Sequence, residues 1–419
     1  MLGLATRAGL SPRFPSPPEP GGEAAETITE EAAVTPPPGP SLRVDVLAEE
    51  GAAVAAGAPV ARLRDAPEVV FTASMPAIVG NVRLGRGRRL TEIVLFRETA
   101  GDRFEQPEAL RSAADPRPLM LAAGAWPLLR RRPFGGMPDP GEGPAAIVVM
   151  AADTRPFAPD PRQAIEGREE AFARGLHALS ALTEGPVFVC TSPGKPLVEK
   201  GNGAVRQITG GPRHPQGLAG IRIHDLCPAR IDAPVWDIHA EDVAAIGHLV
   251  ETGMMPATRL VRLAGAALRE GRLVRTQPGA DLRGLSHGAT RPGGHVLLSG
   301  SPLDGHPAHW LGARDRQVTV LPREEKPGPR HWFVEALTGT ARAAPAIPTE
   351  ALRQAFGGGM PGVALIRALS AGDDETAIRL GVLSLLEEDV ALADYALGGA
   401  HLPELLRRVL SRIEAEMAP

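Results

Sequence analysis

The sequence predicts a multidomain α/β protein (α+β in the loose sense) with an N-terminal β unit, a central α/β domain containing a βαβ unit, and a C-terminal helical bundle. Three features predict it. Short alternating runs punctuated by glycine fill residues 41–100, two buried-strand runs flank a helical period between Ala145 and Cys190, and apolar residues recur at helical spacing after Pro361. At 419 residues the chain is also too long for one ordinary domain.

Residues 1–40 are dense in Pro, Gly and Glu and end in Pro36-Pro37-Pro38-Gly39-Pro40. So little apolar surface does not offset the entropy of ordering, and an extended or disordered arm is expected. From Ser41 to about residue 100, Leu42–Val46 alternates, Gly51 and Gly57 mark turns, Val69–Ala73 forms a second run, and Gly80, Val82–Leu84 and Gly85 precede Leu90–Leu95. This order resembles the barrel-sandwich hybrid of biotinyl and lipoyl domains. A carrier of that kind needs a modifiable lysine on its hairpin. Here the hairpin reads Thr72-Ala73-Ser74-Met75-Pro76, so swinging-arm chemistry is not expected.

The α/β region runs over residues 120–321, with a Rossmann-like organisation. Ala145–Met150 and Val187–Cys190 read as buried strands, and Pro161–Thr183 reads as one helix stopped by Gly185-Pro186. Together they make a βαβ unit with an expected right-handed crossover. Further strands are expected at Gly220–His224, Arg259–Leu263 and His295–Leu298, and a helix at Glu241–Glu251. Residues 322–360 are weakly patterned and proline-rich, an irregular connector. The last unit, 361–419, reads as helices at Val363–Leu369, Glu375–Leu386, Glu387–Leu397 and Pro403–Met417, the last with Leu405, Val409 and Ile413 on one stripe.

Composition removes several function classes. A net charge of −4 lacks the basic footprint of a nucleic-acid binder. The arginine excess, with only three lysines (Lys195, Lys200, Lys326), reads as genomic base composition rather than chemistry. Two cysteines, Cys190 and Cys227, are too few for an iron–sulfur cluster and fit a reducing cytoplasm. No stretch reaches the ~18 apolar residues of a membrane helix. No secretory signal is visible either, so a membrane role would run through partner subunits.

Motifs for chemistry are sparse. The first α/β strand leads into Ala151-Ala152-Asp153-Thr154-Arg155-Pro156, without the glycines that cradle a pyrophosphate. His306, His309 and Asp304 lie in a proline-containing stretch without the i, i+4 spacing of a helical metal site, so a surface loop is expected. The acidic runs Glu169-Glu170 and Glu387-Glu388-Asp389 fit helix starts or solvated faces better than acid–base catalysis. The most unusual loop is Gly211–Gly220. Its glycines permit close backbone approach, with Arg213 and His214 beside them, either for a ligand or for a structural or subunit contact.

Several separate segments together resemble the A subunit of the sodium-translocating NADH:quinone oxidoreductase. Trp126–Phe134 (WPLLRRRPF) is similar to that family's W-x-x-L-R-x-R-P-F, and Asp153-Thr154-Arg155-Pro156 to its D-T-x-P. Gly211–Gly220 is similar to its G-P-x-H-P-A-G-L-x-G; Val235–Ile238, Arg259–Gly265, Arg272–Thr276, Ala371–Asp373 and Leu386–Leu392 follow in order. Trp332-Phe333 is a fainter echo. The family is related in architecture to the C subunit of the Rnf complex and to the flavin subunit of respiratory complex I.

The resemblance implies a peripheral subunit, itself without redox centres, on the cytoplasmic face of the inner membrane. It implies five partner subunits in a six-subunit pump, with FAD, FMN, iron–sulfur centres and NADH carried by those subunits, and ubiquinone as the electron acceptor. Arg213, His214, Pro215, Gly217 and Gly220 are the residues expected at a quinone or partner contact; no catalytic residue and no metal ligand is expected. Two other functions fit the same residues: an autonomous or Rnf-type NADH dehydrogenase, and a divergent binding scaffold outside any pump.

Overall fold

The structure, a computed structural model, describes residues 8–19, 23–198, 203–323 and 349–417. Over those residues it is a mixed α/β protein with four sheets.

The N-terminal unit is built from strands β1 (Ala25–Glu26), β2 (Glu31–Val34), β3 (Val44–Val46), β4 (Ala53–Val54), β5 (Pro59–Leu63), β6 (Val70–Thr72), β7 (Ala77–Gly85) and β8 (Arg89–Arg97). They form a four-stranded sheet, β2-β8-β7-β4, and a three-stranded sheet, β3-β5-β6, while β1 pairs elsewhere. Alternate residues of both sheets, among them Val44, Val60, Phe71, Val79, Ile93 and Leu95, close one small core. The segment Thr72–Pro76 links the two sheets, with Met75 buried beneath it.

The described part of the proline-rich arm is extended and seated on later segments. Leu10 lies beside the 211–220 loop and donates its N–H to His214 O at 2.7 Å. Ser16 Oγ accepts from Gly265 N at 3.1 Å, Pro18 O from Gly271 N at 3.1 Å, and Glu19 pairs with Arg262 at 2.6 Å. Phe14 packs against Phe157 and Tyr395. Prolines lose little backbone entropy on ordering and leave their carbonyls free to accept, so few contacts suffice to seat the arm.

The central sheet comprises β9 (Arg130–Arg132), β10 (Ala146–Ala151), β11 (Val187–Thr191), β12 (Val205–Thr209) and β13 (Val235–His239), in the order β12-β11-β10-β13-β9. The first four neighbours are parallel and β9 is an antiparallel edge. Every residue of β10 is buried because helices cover both faces. Ile147, Val149 and Ala151 join the core under helices Glu169–Ser180 and Ala240–Thr252, while Ala146, Val148 and Met150 face helix Ala219–Leu226.

Two expectations change here. Pro161–Thr183 is not one helix but two, Pro161–Ile165 and Glu169–Ser180, because Gly167 takes a left-handed conformation between them. Gly220–His224 is not a strand but part of helix Ala219–Leu226. A short, fully buried apolar run has no polar alternation to separate the two periods, and tertiary contacts decide it.

A third sheet, β1-β15-β14-β18-β16-β17, contains β14 (Arg259–Ala264), β15 (Arg272–Thr276), β16 (His295–Ser299), β17 (His306–Pro307) and β18 (Gln317–Pro322) around its own core. Most of the expected connector, with Trp332-Phe333, lies outside the described residues, although Glu350–Ala355 within it is helical. The C-terminal helices run Gly362–Ala371, Asp374–Arg379, Glu387–Ala396 and Leu402–Met417. The second is shorter than expected, since Gly381 turns left-handed and a 3-10 turn, Val382–Ser384, takes over. The expected stripe is buried at Val409 and Ile413, with Leu402, Leu406 and Leu410 completing it. No helix among the described residues is long and apolar enough to cross a membrane.

Candidate functional site

Of the parallel strands, β10 comes first in the chain; β11 and β12 extend the sheet on one side and β13 on the other. The order of strand addition therefore reverses between β10 and β13, and open α/β sheets bind ligands in the crevice at the carboxyl ends of such strands. A cleft of about 1180 Å3 lies there. Met150, Ala152 and Asp153 contribute from the end of β10, Ile238 and His239 from β13, and the proline run Pro36–Pro40 forms part of its rim.

The loop after β10 shows why this crevice is not a phosphate cradle. In place of glycine N–H groups it presents Arg155, which is clamped by Asp153 at its own loop and by Asp304 at 3.2 Å. Burial opposes the charge on Arg155, but the two carboxylates outweigh it and hold the guanidinium well above its ordinary pKa. Asp304 is also bonded to Ser301. Among the described residues no three His, Cys, Asp or Glu side chains are grouped to hold a metal.

The opposite wall is an ion network. Arg132, 0 % exposed, donates Nε to Asp237 Oδ1 at 3.1 Å, Nη2 to Glu388 Oε1 at 3.0 Å and Nη1 to Asp389 and to Ser384 O. Arg130 joins Asp237 at 2.9 Å and Glu388 at 2.6 Å. The edge strand β9 is thus pinned to the start of helix Glu387–Ala396. Burial pushes Glu388 up, but Arg130 and Arg132 hold it below the usual carboxylate range. Burial lifts Asp389 to about 6; Arg132 opposes this and the Glu388 charge reinforces it. Of the two expected settings, a helix start or a solvated face, Glu388 and Asp389 occupy the first, in the opening turn of helix Glu387–Ala396, and the second is corrected because arginines bury them. Helix-start position and arginine partners on another segment look alike in sequence.

Two further groups face the cleft. His239 caps helix Ala240–Thr252, its Nδ1 accepting from Glu241 N at 3.1 Å. Burial and the neighbouring Arg316, Arg155 and Arg259 keep it neutral, so its proton sits on Nε2. Arg314 has no carboxylate bonded to it among the described residues; its Nη2 donates to Pro127 O at 3.1 Å, to Leu129 O and to Gly136 O at 3.3 Å. Burial, with Arg130 nearby, pushes it down to about 9. With Leu218, Leu303 and Leu386 in the same wall, the cleft is amphipathic and offers hydrogen-bond donors beside acidic side chains.

The five residues nominated from sequence do not converge on one surface. Arg213 is exposed. His214 is 2 % exposed and contacts Thr154 Oγ1 at 3.2 Å through Nδ1; burial drives its pKa down to about 4. Pro215 is buried and follows a cis peptide bond. Gly217 lines the cleft and donates its N–H to Thr154 Oγ1 at 2.9 Å. Gly220 opens helix Ala219–Leu226 and donates to Asp389 Oδ1 at 3.1 Å. The loop therefore acts as a joint between the arm, the strand-end loop and the C-terminal helices. Gln216 sits at its centre, bonded to Ala8 O at 2.8 Å and to Arg222 at 2.6 Å.

Sequence inspection missed Arg132, Asp237 and Asp389. A signal existed: the arginines of Trp126–Phe134 and the carboxylates of Leu386–Leu392 are opposite charges within two of the resembling segments.

Residues 112–255 match the family model described as the NqrA second alpha/beta domain. The A subunit of the Na(+)-translocating NADH-quinone reductase of Alcanivorax borkumensis is 33% identical over 386 residues, 83% of this chain and 85% of that one. Its counterpart from Pseudomonas aeruginosa is 36% identical over 388 residues, 84% and 86% of the two chains. The chain belongs to the NqrA family, the A subunits of Na(+)-translocating NADH-quinone reductases. In the NqrA family member from Tolumonas auensis the match extends to 90% of this chain and 92% of the other, at 34% identity. A crystal structure of NAD+-reducing [NiFe]-hydrogenase is also similar, at 15% identity over 75% of this chain and 65% of that one; its TM-score of 0.38 says nothing about function.

Proposed function

We propose that this NqrA family member works as a peripheral subunit, without a redox centre of its own, on the cytoplasmic face of the inner membrane. Its partners would be the other five subunits of a sodium-pumping NADH:ubiquinone reductase, which carry FAD, FMN, the iron–sulfur centres and the NADH site. The N-terminal unit is read as a barrel-sandwich hybrid, the central sheet as Rossmann-like and the C-terminal helices as a bundle. The chain's own contribution is assembly and the shaping of a quinone or partner site at the switch-point cleft, with the 211–220 loop as its support.

The observation that carries this reading is the chemistry of that cleft. Its arginines are mostly neutralised by carboxylates on the same wall. Besides the acidic side chains in its lining, it offers donors at His239 and Arg314, beside apolar side chains. Such a lining suits a neutral, largely apolar acceptor better than a pyrophosphate. The test is made in the assembled complex with Gly217→Ala, whose added methyl lands on Thr154 at the cleft wall. A raised KM for ubiquinone with unchanged NADH oxidation by artificial acceptors is expected. An unchanged quinone titration removes the cleft from the quinone path, and failure of the chain to co-purify with membrane flavoproteins removes the pump assignment.

A further inference from the structure

A second cavity, of about 160 Å3, lies where the N-terminal β unit meets the amino end of helix Ala240–Thr252 and the segment leading into β14. It abuts the switch-point cleft, and Leu128 and Asp242 belong to both walls. Its surface is mainly apolar, with Phe71, Phe104, Met254, Met255 and Leu311 prominent.

Three arginines line this chamber, and none of them is paired with a carboxylate among the described residues. Arg103 donates to Met255 O at 2.8 Å, and Arg259 donates to Ala313 O. Arg168 has no side-chain hydrogen bond or ion pair with any described residue, although it is only partly exposed. The two carboxylates on the same wall, Glu241 and Asp242, are both taken by Arg316, and Glu241 also accepts from Leu260 N. The chamber therefore holds an excess of positive charge beside an apolar surface. Burial lowers Arg168 and, with Arg316 adding repulsion, lowers Arg259 to about 10. Glu241 and Asp242 attract both cations without bonding to either, and a bound anion would relieve the remaining cost of burial.

We propose that this cavity binds a small amphipathic carboxylate of benzoate size, its ring in the apolar chamber and its carboxylate at Arg168. The size follows from the volume, since apolar cavities of roughly 150 Å3 take up a single benzene ring. The charge follows from the unpaired guanidinium groups, which favour a carboxylate through charge-assisted hydrogen bonds. The site is independent of the quinone assignment, because no part of it depends on electron transfer or on partner subunits.

The test uses the full chain with 4-fluorobenzoate observed by fluorine NMR, and 4-fluorotoluene and inorganic phosphate as comparison probes. Saturable binding of 4-fluorobenzoate, displaced by unlabelled benzoate and much tighter than that of the neutral toluene, is expected. Arg168→Gln should weaken it about tenfold or more. That substitution breaks no side-chain hydrogen bond or ion pair seen in the structure, so the thermal midpoint should stay in place. Ala245→Leu, which adds bulk to the cavity wall and removes no cation, should weaken it as well. Equal affinity for benzoate and toluene overturns the proposal, as does benzoate binding indifferent to both substitutions or no saturable binding at all. Displacement by phosphate as effective as by benzoate would show a plain anion site and overturn the amphipathic assignment.

Discussion

Gly220 donates its N–H to Asp389 Oδ1 at 3.1 Å, and the approach is so close that a Cβ at Gly220 would overlap that carboxylate. The carboxylate cannot step aside easily, because it also accepts from Leu386 N at 2.8 Å and from Arg132. In an isolated helix, glycine to alanine would stabilise by up to about 1 kcal/mol. Here overpacking of about 1–3 kcal/mol opposes it. Gly220→Ala is therefore expected to lower stability by roughly 1–2 kcal/mol, read as a lower urea midpoint at unchanged m-value. A raised midpoint would show that the contact is loose.

Arg132 holds three buried or nearly buried carboxylates, Asp237, Glu388 and Asp389. Arg132→Met keeps the volume and removes the only cation that reaches all three in the described structure. Leaving buried charges uncompensated costs about 3–5 kcal/mol. Chemical denaturation should show a loss of that order, and proteolysis should open the junction between β9 and helix Glu387–Ala396 first. A loss below about 1 kcal/mol would mean that water or Arg130 compensates.

His214 sets a pH dependence. Its folded pKa, pushed down to about 4 by burial, lies below the ordinary value of 6.5, so between these values the unfolded chain binds more protons. The stability linked to a neutral His214 is present above pH 6.5 and is lost as pH falls towards 4. By linkage this amounts to about 2 kcal/mol between pH 7 and pH 5. Urea midpoints at the two pH values should differ less in His214→Gln than in the wild type by that amount. An equal difference in both proteins would assign the pH response to other groups, of which buried His239 is the first to examine.

Both cysteines are poor nucleophiles in the folded chain. Burial pushes the Cys190 thiol up to about 12 and the half-buried Cys227 thiol up to about 11. Iodoacetamide at pH 7.5 should label neither residue quickly in native protein and both in urea. Fast native labelling of Cys227 would show that its helix end opens readily.

Much of the secondary structure was legible. The apolar runs that became β10 and β11 carry their burial in their composition, and glycine-punctuated alternation marked the N-terminal sheets. Local rules failed at residues 220–224, where every side chain up to Ile223 is buried and periodicity had nothing to report. The contacts of the arm were not legible for a related reason. Its prolines bury little surface, but Pro18 O and Phe14 find partners on segments hundreds of residues away.

By itself, the sequence determined the mixed α/β class, the strand–helix–strand order after Ala145, the lack of a glycine phosphate loop and the likeness to the NqrA family. These follow from periodicity and residue type, which are local. Tertiary structure alone decided that β10 and β13 flank a switch-point cleft, that Arg132 meets Asp389 across 257 positions, and that Gly217 reaches the cleft while Arg213 points away from the core. The reason is physical. Which charge neutralises which, and which guanidinium is left without a carboxylate, depends on distances between segments that chain order does not encode.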